Sequence, residues 1–105
     1  MNPKPFKLSE KDITRQIRDC LRAFHIFHWK AWQGPMSQPK GVADIIGIYK
    51  GKPLAIEVKK PGGRLSYDQA QFLDRWAREG GIAIVAYSVD AVIGQLGLQL
   101  PMFKK

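Results

Sequence analysis

At 105 residues, 45% hydrophobic and 25% charged, the chain is long enough for one domain with its own core, too short for two, and shows no bias toward disorder or fibrous structure. Lys and Arg number 17 against 9 Asp and Glu, a net charge of +8, which favours a polyanionic partner and nucleic acid first, although a basic surface also serves plain solubility. The cationic residues run from Lys4 to Lys105 rather than along one membrane-facing helix; the single cysteine, Cys20, excludes an internal disulfide framework, and no Cys/His cluster suits a structural zinc.

Met1 to Lys11 holds no apolar leader-like run and no later segment approaches ~18 consecutive apolar residues, so no membrane association and a reducing cytoplasm are expected. Ser9 with Asp12 reads as a capping box, and Ile13, Ile17, Leu21 and Phe24 recur at helical spacing, predicting a helix over 9–24. The aromatic-rich run HIFHWKAWQ (25–33) suits a strand, and GPMSQPKG (34–41) a loop. VADIIGIY (42–49) and LAIEVK (54–59) are two β-rich runs joined through Lys50-Gly51-Lys52-Pro53 as a hairpin. Pro61-Gly62-Gly63 closes the second. A further capping box, Ser66 with Gln69, opens a helix carried by Phe72, Leu73 and Trp76 and ended by Gly80-Gly81. IAIVAY (82–87) reads as a buried strand, Ser88 caps a last helix to about Leu96, and the tail beyond carries no clear signal. The order α-β-β-β-α-β-α, with a hairpin followed by a strand–helix–strand crossover, predicts a single α/β domain over 1–105, its mixed central sheet flanked by helices.

Alternation along 54–59 puts Glu57 and Lys59 on one face, opposite Leu54, Ile56 and Val58. In 42–49, where both faces look buried, Asp44 shares a face with Val42, Ile46 and Ile48, away from Ala43, Ile45 and Gly47. A carboxylate at such a position must be paired, hydrogen-bonded or bound to a cation. Two acids on neighbouring strands repel each other and offer hard oxygen ligands suited to Mg²⁺ or Mn²⁺, with Lys59 one step along to orient or activate water. The plainer alternative is an internal salt bridge from Lys59 to Asp44 or Glu57.

These residues, in GVADIIGIYKGKPLAIEVKKPGGRLSYDQAQFLDRWAREGGIAIVAYS (41–88), resemble the VRR-NUC domain, the virus-type replication-repair branch of the PD-(D/E)XK nucleases with their restriction-endonuclease-like fold. The matching elements are Gly41-x-x-Asp44, Ile56-Glu57-Val58-Lys59, Gly62-Gly63-x-Leu65-Ser66, Gln69 and Gly80-Gly81. One departure is Ala43, where the superfamily has proline before the acid. The resemblance implies a metal held by Asp44, Glu57 and the backbone carbonyl of Val58, with Lys59 polarising the nucleophilic water for phosphodiester hydrolysis. It makes Glu10 a candidate first-helix acid and metal ligand, consistent with its place on the stripe of Ile13, Ile17 and Leu21, where it should face inward; the other reading of Glu10 is an acid favoured by the helix dipole. Likewise it brings Gln69 to the active site, beside its sufficient role as a cap.

Candidate nucleic-acid contacts are Lys11, Arg15, Arg18 and Arg22, a basic face on the first helix, and Trp29, Lys30, Trp32 and Lys40, which interleave aromatic and basic residues before Asp44. Lys60 and Arg64 flank the turn beside the site. A solvated helix face, core tryptophans and surface lysines are the ordinary alternatives. His25 and His28 have no ligand company and read as strand residues. The expectation is a metal-dependent DNA endonuclease. By resemblance its substrates are four-way junctions or flaps and it acts as a homodimer; a catalytically silent DNA-binding module and a ribonuclease are the rival readings.

Overall fold

Every helix among the described residues starts at a serine whose side-chain oxygen takes up a free N–H of the first turn: Ser9 accepts from Asp12, Ser66 from Gln69 and Ser88 from Ala91. The computed structural model describes residues 7–36 and 39–99. Its elements are α1 (Glu10–Ala23), β1 (His28–Lys30), β2 (Ile45–Tyr49), β3 (Lys52–Val58), α2 (Tyr67–Arg78), β4 (Ile82–Ala86) and α3 (Val89–Leu96), in the expected order. The middle of the 34–41 loop, residues 37–38, and the basic tail from Leu100 lie outside the described residues. No described helix is long and apolar enough to cross a membrane.

The sheet runs β1-β2-β3-β4, with β1–β2 and β2–β3 antiparallel and β3–β4 parallel through the α2 crossover. On one face, Ile13, Ile17 and Leu21 of α1 and Val92 and Leu96 of α3 bury Ile45, Leu54, Ile56, Val58 and Ile84. Each such aliphatic side chain contributes roughly 1.5–3 kcal/mol by leaving water. The other face is made of small residues, Ala43 and Ala55, under Leu73 of α2, with Ile46, Phe72, Trp76, Ala83 and Val85 around them.

Three expectations about the strands change. The first strand shrinks from 25–33 to His28–Lys30, because Phe24 to Ile26 close α1: His25 sits at φ 58, its N–H donates to Arg22 and that of Ile26 to Leu21. The second begins at Ile45, since the chain bends at Asp44, and this bend puts Ala43 with Ala55 and Leu73 rather than beside Ile45. Nor are both its faces fully buried, for Ile48 is exposed. The hairpin turn itself is only Lys50-Gly51, both at positive φ (50 and 81) as a type I′ turn requires, while Lys52 and Pro53 already belong to β3.

Candidate active site

At the end of β3, alternation that sends Ile56 and Val58 into the α1/α3 core turns Glu57 toward α2, where it is the one buried charged residue among those described, 2% exposed. The β2–β3 register pairs Ile45 with Ile56, so the next position inward places Asp44 against Glu57. Asp44 Oδ2 accepts the Val58 N–H at 2.7 Å, and its backbone carbonyl accepts the Ala31 N–H at 2.9 Å. The bend at Asp44 is thereby tied to strands on both sides.

Gln69 bonds in two directions. Its Oε1 accepts the Ser66 N–H at 2.9 Å, completing the capping box, while Nε2 donates to Glu57 Oε2 at 3.1 Å. Gly41 makes this approach of α2 to the Asp44 loop feasible: at φ +76, a Cβ there would stand 2.3 Å from the Asp68 backbone. Lys59 Nζ lies 3.5 Å from Glu57 Oε2, its side chain 12% exposed. The Lys59 contact expected as the plainer alternative therefore exists, and it is with Glu57.

Glu57 remains under-satisfied. Its Oε1 is buried with no hydrogen-bond partner among the described residues. Burial first, then the charge and hydrogen bonding of Asp44, push its carboxyl up to about 8, and Lys59 only partly offsets them. An orphaned carboxylate oxygen beside a second carboxylate is the donor set of a hard divalent cation, whose charge would remove both the repulsion and the desolvation cost. The residues present thus fit a Mg²⁺- or Mn²⁺-type ion. Among the described residues no three His, Cys, Asp or Glu side chains gather as a metal cluster, so backbone oxygens and water must complete the shell. The Val58 side chain is in the core, which leaves its backbone for the site.

Glu10 is exposed rather than buried under the sheet; its Oε2 accepts the Lys60 N–H at 3.4 Å, across the end of β3. It lines a cleft of about 480 Å³ together with Lys11, Thr14, Arg15, Arg18, Arg22, Lys30, Gln33 and Asp44. The basic row of α1 and Lys30 are therefore brought to the same cleft as Asp44. Arg15 and Arg22 also pair with Asp12 and Asp19, and Arg18 Nε is buried without a hydrogen-bond partner among the described residues. Trp32 is exposed, next in sequence to Gln33 of the cleft and two residues after Lys30. Trp29, by contrast, is in β1 and stands with Phe27 (ring centroids 5.7 Å apart), and Lys40 borders a different, apolar recess against Phe72 and Trp76. Lys60 lines a groove with Glu10, Tyr87 and Ser88, and Arg64 is exposed. His28 Nδ1 bonds the Ile26 carbonyl, as a strand residue would.

Gln33 was not anticipated. Its Nε2 donates to the Val42 carbonyl at 2.7 Å and pins the chain on the far side of Asp44. A lone glutamine in a loop has no spacing to betray it. Tyr87, whose hydroxyl donates to the Gly63 carbonyl, steadies the turn after β3 from β4's end.

A mixed sheet with two acids meeting at the end of a hairpin, a lysine one step on and a helix glutamine bonded to the buried acid agrees with the PD-(D/E)XK type of nuclease, the class to which the family model assigns the chain. The sequence model of the VRR-NUC domain matches residues 4–90, and the chain belongs to that family. A solved structure described as a VRR_NUC domain protein superposes with a TM-score of 0.72 at 23% identity, covering 88% of each chain, a likeness of fold. No curated protein sequence matches.

Proposed function

We propose that the chain is a divalent-metal-dependent endodeoxyribonuclease acting on structured DNA such as four-way junctions or flaps. The observation that carries the metal dependence is the buried Glu57 with an unpartnered oxygen beside Asp44. Asp44, Glu57 and the Val58 carbonyl would hold Mg²⁺ or Mn²⁺, with Glu10 at the cleft mouth placed to accept from a metal-bound water rather than to bind the ion itself. The cation supplies positive charge for the phosphoryl oxygen and acidifies water. Lys59, held against Glu57, orients the attacking water and adds positive charge where the phosphorane-like charge grows. Gln69 fixes the Glu57 carboxylate so that its other oxygen stays directed at the site. The arginines of α1 hold backbone phosphates beside Asp44 without reading sequence. The lone Cys20 suits a reducing cytoplasm.

The test is incubation with supercoiled plasmid, a four-way junction, a flap and matched RNA, in Mn²⁺, Mg²⁺ or EDTA. Metal-dependent DNA products that vanish in Glu57→Ala support the reading. Cleavage persisting in EDTA sinks the metal, binding without cutting leaves a silent module, and preferred RNA cleavage removes DNA as substrate.

A homodimer is proposed as well. It is supported by β1, a three-residue edge strand, beside which Phe27, Trp29 and Ile48 stand exposed on one face, the Ile48 N–H donating to the Phe27 carbonyl. Sedimentation that shows only monomer, with and without DNA, rejects it.

A further inference from the structure

Trp32 is 65% exposed, yet its ring is seated. A Cβ built on Gly34 would fall 2.0 Å from Trp32 Cζ2 and 2.5 Å from both of its bonded ring neighbours, Cε2 and Cη2. For aromatic bond lengths, a point so placed lies over the ring plane and not off its rim. The six-membered ring therefore rests face-on over the bare backbone of Gly34, which any larger residue would block. One face is covered and the bulk of the ring is open to solvent.

The other two tryptophans are committed elsewhere. Trp76 stacks on Phe72 at 5.3 Å and donates to the Pro53 carbonyl, and Trp29 leans on Phe27. Trp32 stacks on no other ring among the described residues. Gln33, the next residue, and Lys30, two residues before, both line the cleft that carries Arg15, Arg18, Arg22 and Asp44. A seated, outward-facing indole, adjoining in sequence two residues of this cationic cleft, offers a π-face for a base whose backbone the cleft cations would hold.

We propose that Trp32 is a stacking platform for an unpaired base, so that the cleft prefers a single-stranded arm or gap next to the cut over continuous duplex. This deepens the nucleic-acid reading of the same site and rests on it. In an intact duplex each base already stacks on its neighbours and its faces are closed to an indole; a frayed, flapped or junction strand presents one. The Arg and Lys row grips either form through phosphates, whereas the ring contributes only where a base is free.

The test uses the full chain in EDTA, where binding is read without cutting, and labelled oligonucleotides of one sequence as single strand, blunt duplex and duplex with a single-stranded arm. Trp32→Ala should weaken binding to the single strand and the armed duplex roughly 5- to 150-fold, the equivalent of ~1–3 kcal/mol for one stacked base. Blunt-duplex affinity and the salt dependence should stay as in the parent. Trp32→Phe should keep most of the preference. Gly34→Ala should reproduce Trp32→Ala with unchanged far-ultraviolet circular dichroism, because the added methyl unseats the ring. Equal losses on all three ligands, or no loss on any, overturn the platform. A parent protein that binds all three and cuts in Mn²⁺ while Trp32→Ala shows no ligand-selective loss removes the platform alone; a parent that binds none of them removes it together with the nucleic-acid reading.

Discussion

Glu57 keeps in the folded, metal-free protein a proton that the unfolded chain releases near 4.5, since burial and Asp44 lift its carboxyl to about 8. Between those values the native state binds more protons than the unfolded one, so the stability linked to this proton is fully present below about 4.5 and drains as the pH rises through 8. The slope is at most about 1.4 kcal/mol per pH unit. In EDTA, urea midpoints at about pH 5 and about pH 9 should therefore diverge in the parent protein and diverge much less in Glu57→Gln, whose amide keeps the shape and cannot ionise. The parent-minus-variant difference cancels the titration of the other acids. A difference independent of pH would mean that Glu57 is not held protonated. A divalent ion acts with the opposite sign, because it displaces the proton, so its affinity should rise toward about pH 8 and binding should release acid.

The start of α2 shows how an element can be structural and chemical at once. Gln69 caps its own helix with one side-chain atom and holds Glu57 with the other, so neither role excludes the other. Gln69→Glu separates them: a carboxylate at this position still completes the capping box but cannot donate to an ionised Glu57. Its helix content should match the parent, while metal-dependent cleavage at about pH 8 should fall at least about tenfold, the loss of one oriented hydrogen bond. Gln69→Ala should lose in addition about 0.5–1.5 kcal/mol of stability, the net worth of its bond to the Ser66 N–H. Parental cleavage by Gln69→Glu would reduce this residue to a cap. Elements of this kind were legible because caps, periodicity and glycine stops act locally: all three helix starts and the parallel crossover follow from residues within a turn of each boundary. The start of β2 was not, since the bend at Asp44 is set by bonds to Ala31 and Val58, distant in sequence; nor was the start of β1, because His25 takes a positive φ to close α1 without being a glycine or asparagine that would signal it. The pairing of Asp44 with Glu57 could be read from strand alternation; the exposure of Glu10 and the part played by Gln33 depend on where α1 and a loop dock, which no local pattern encodes.

Across the whole molecule, cations and anions are distributed unequally about the site. Lys11, Arg15, Arg18, Arg22 and Lys30 line the cleft with Glu10 and Asp44, whereas Arg75 and Arg78 of α2 lie outside it; arginines on both helices pair with acids of their own helix, so position and not pairing separates the two sets. A net charge of +8 by itself would attract a polyanion to any surface; on the proposed reading, the cleft would direct it past Asp44. Counterion release makes the distinction measurable, because each phosphate contact adds about 0.7–0.9 to the slope of log affinity against log salt. Replacing Arg15, Arg18 and Arg22 together with alanine should flatten that slope by roughly 2–3, with the loss of affinity largest at low salt. Arg75→Ala with Arg78→Ala lowers net charge as well, yet should leave the slope within about one contact of the parent. If both sets flatten it in proportion to the charge removed, the α1 cleft is no binding track and the basic balance of the chain is only a diffuse field. If the first set alone does so, phosphates lie along α1, where a backbone must run to present one of its bonds to Asp44, Glu57 and Lys59.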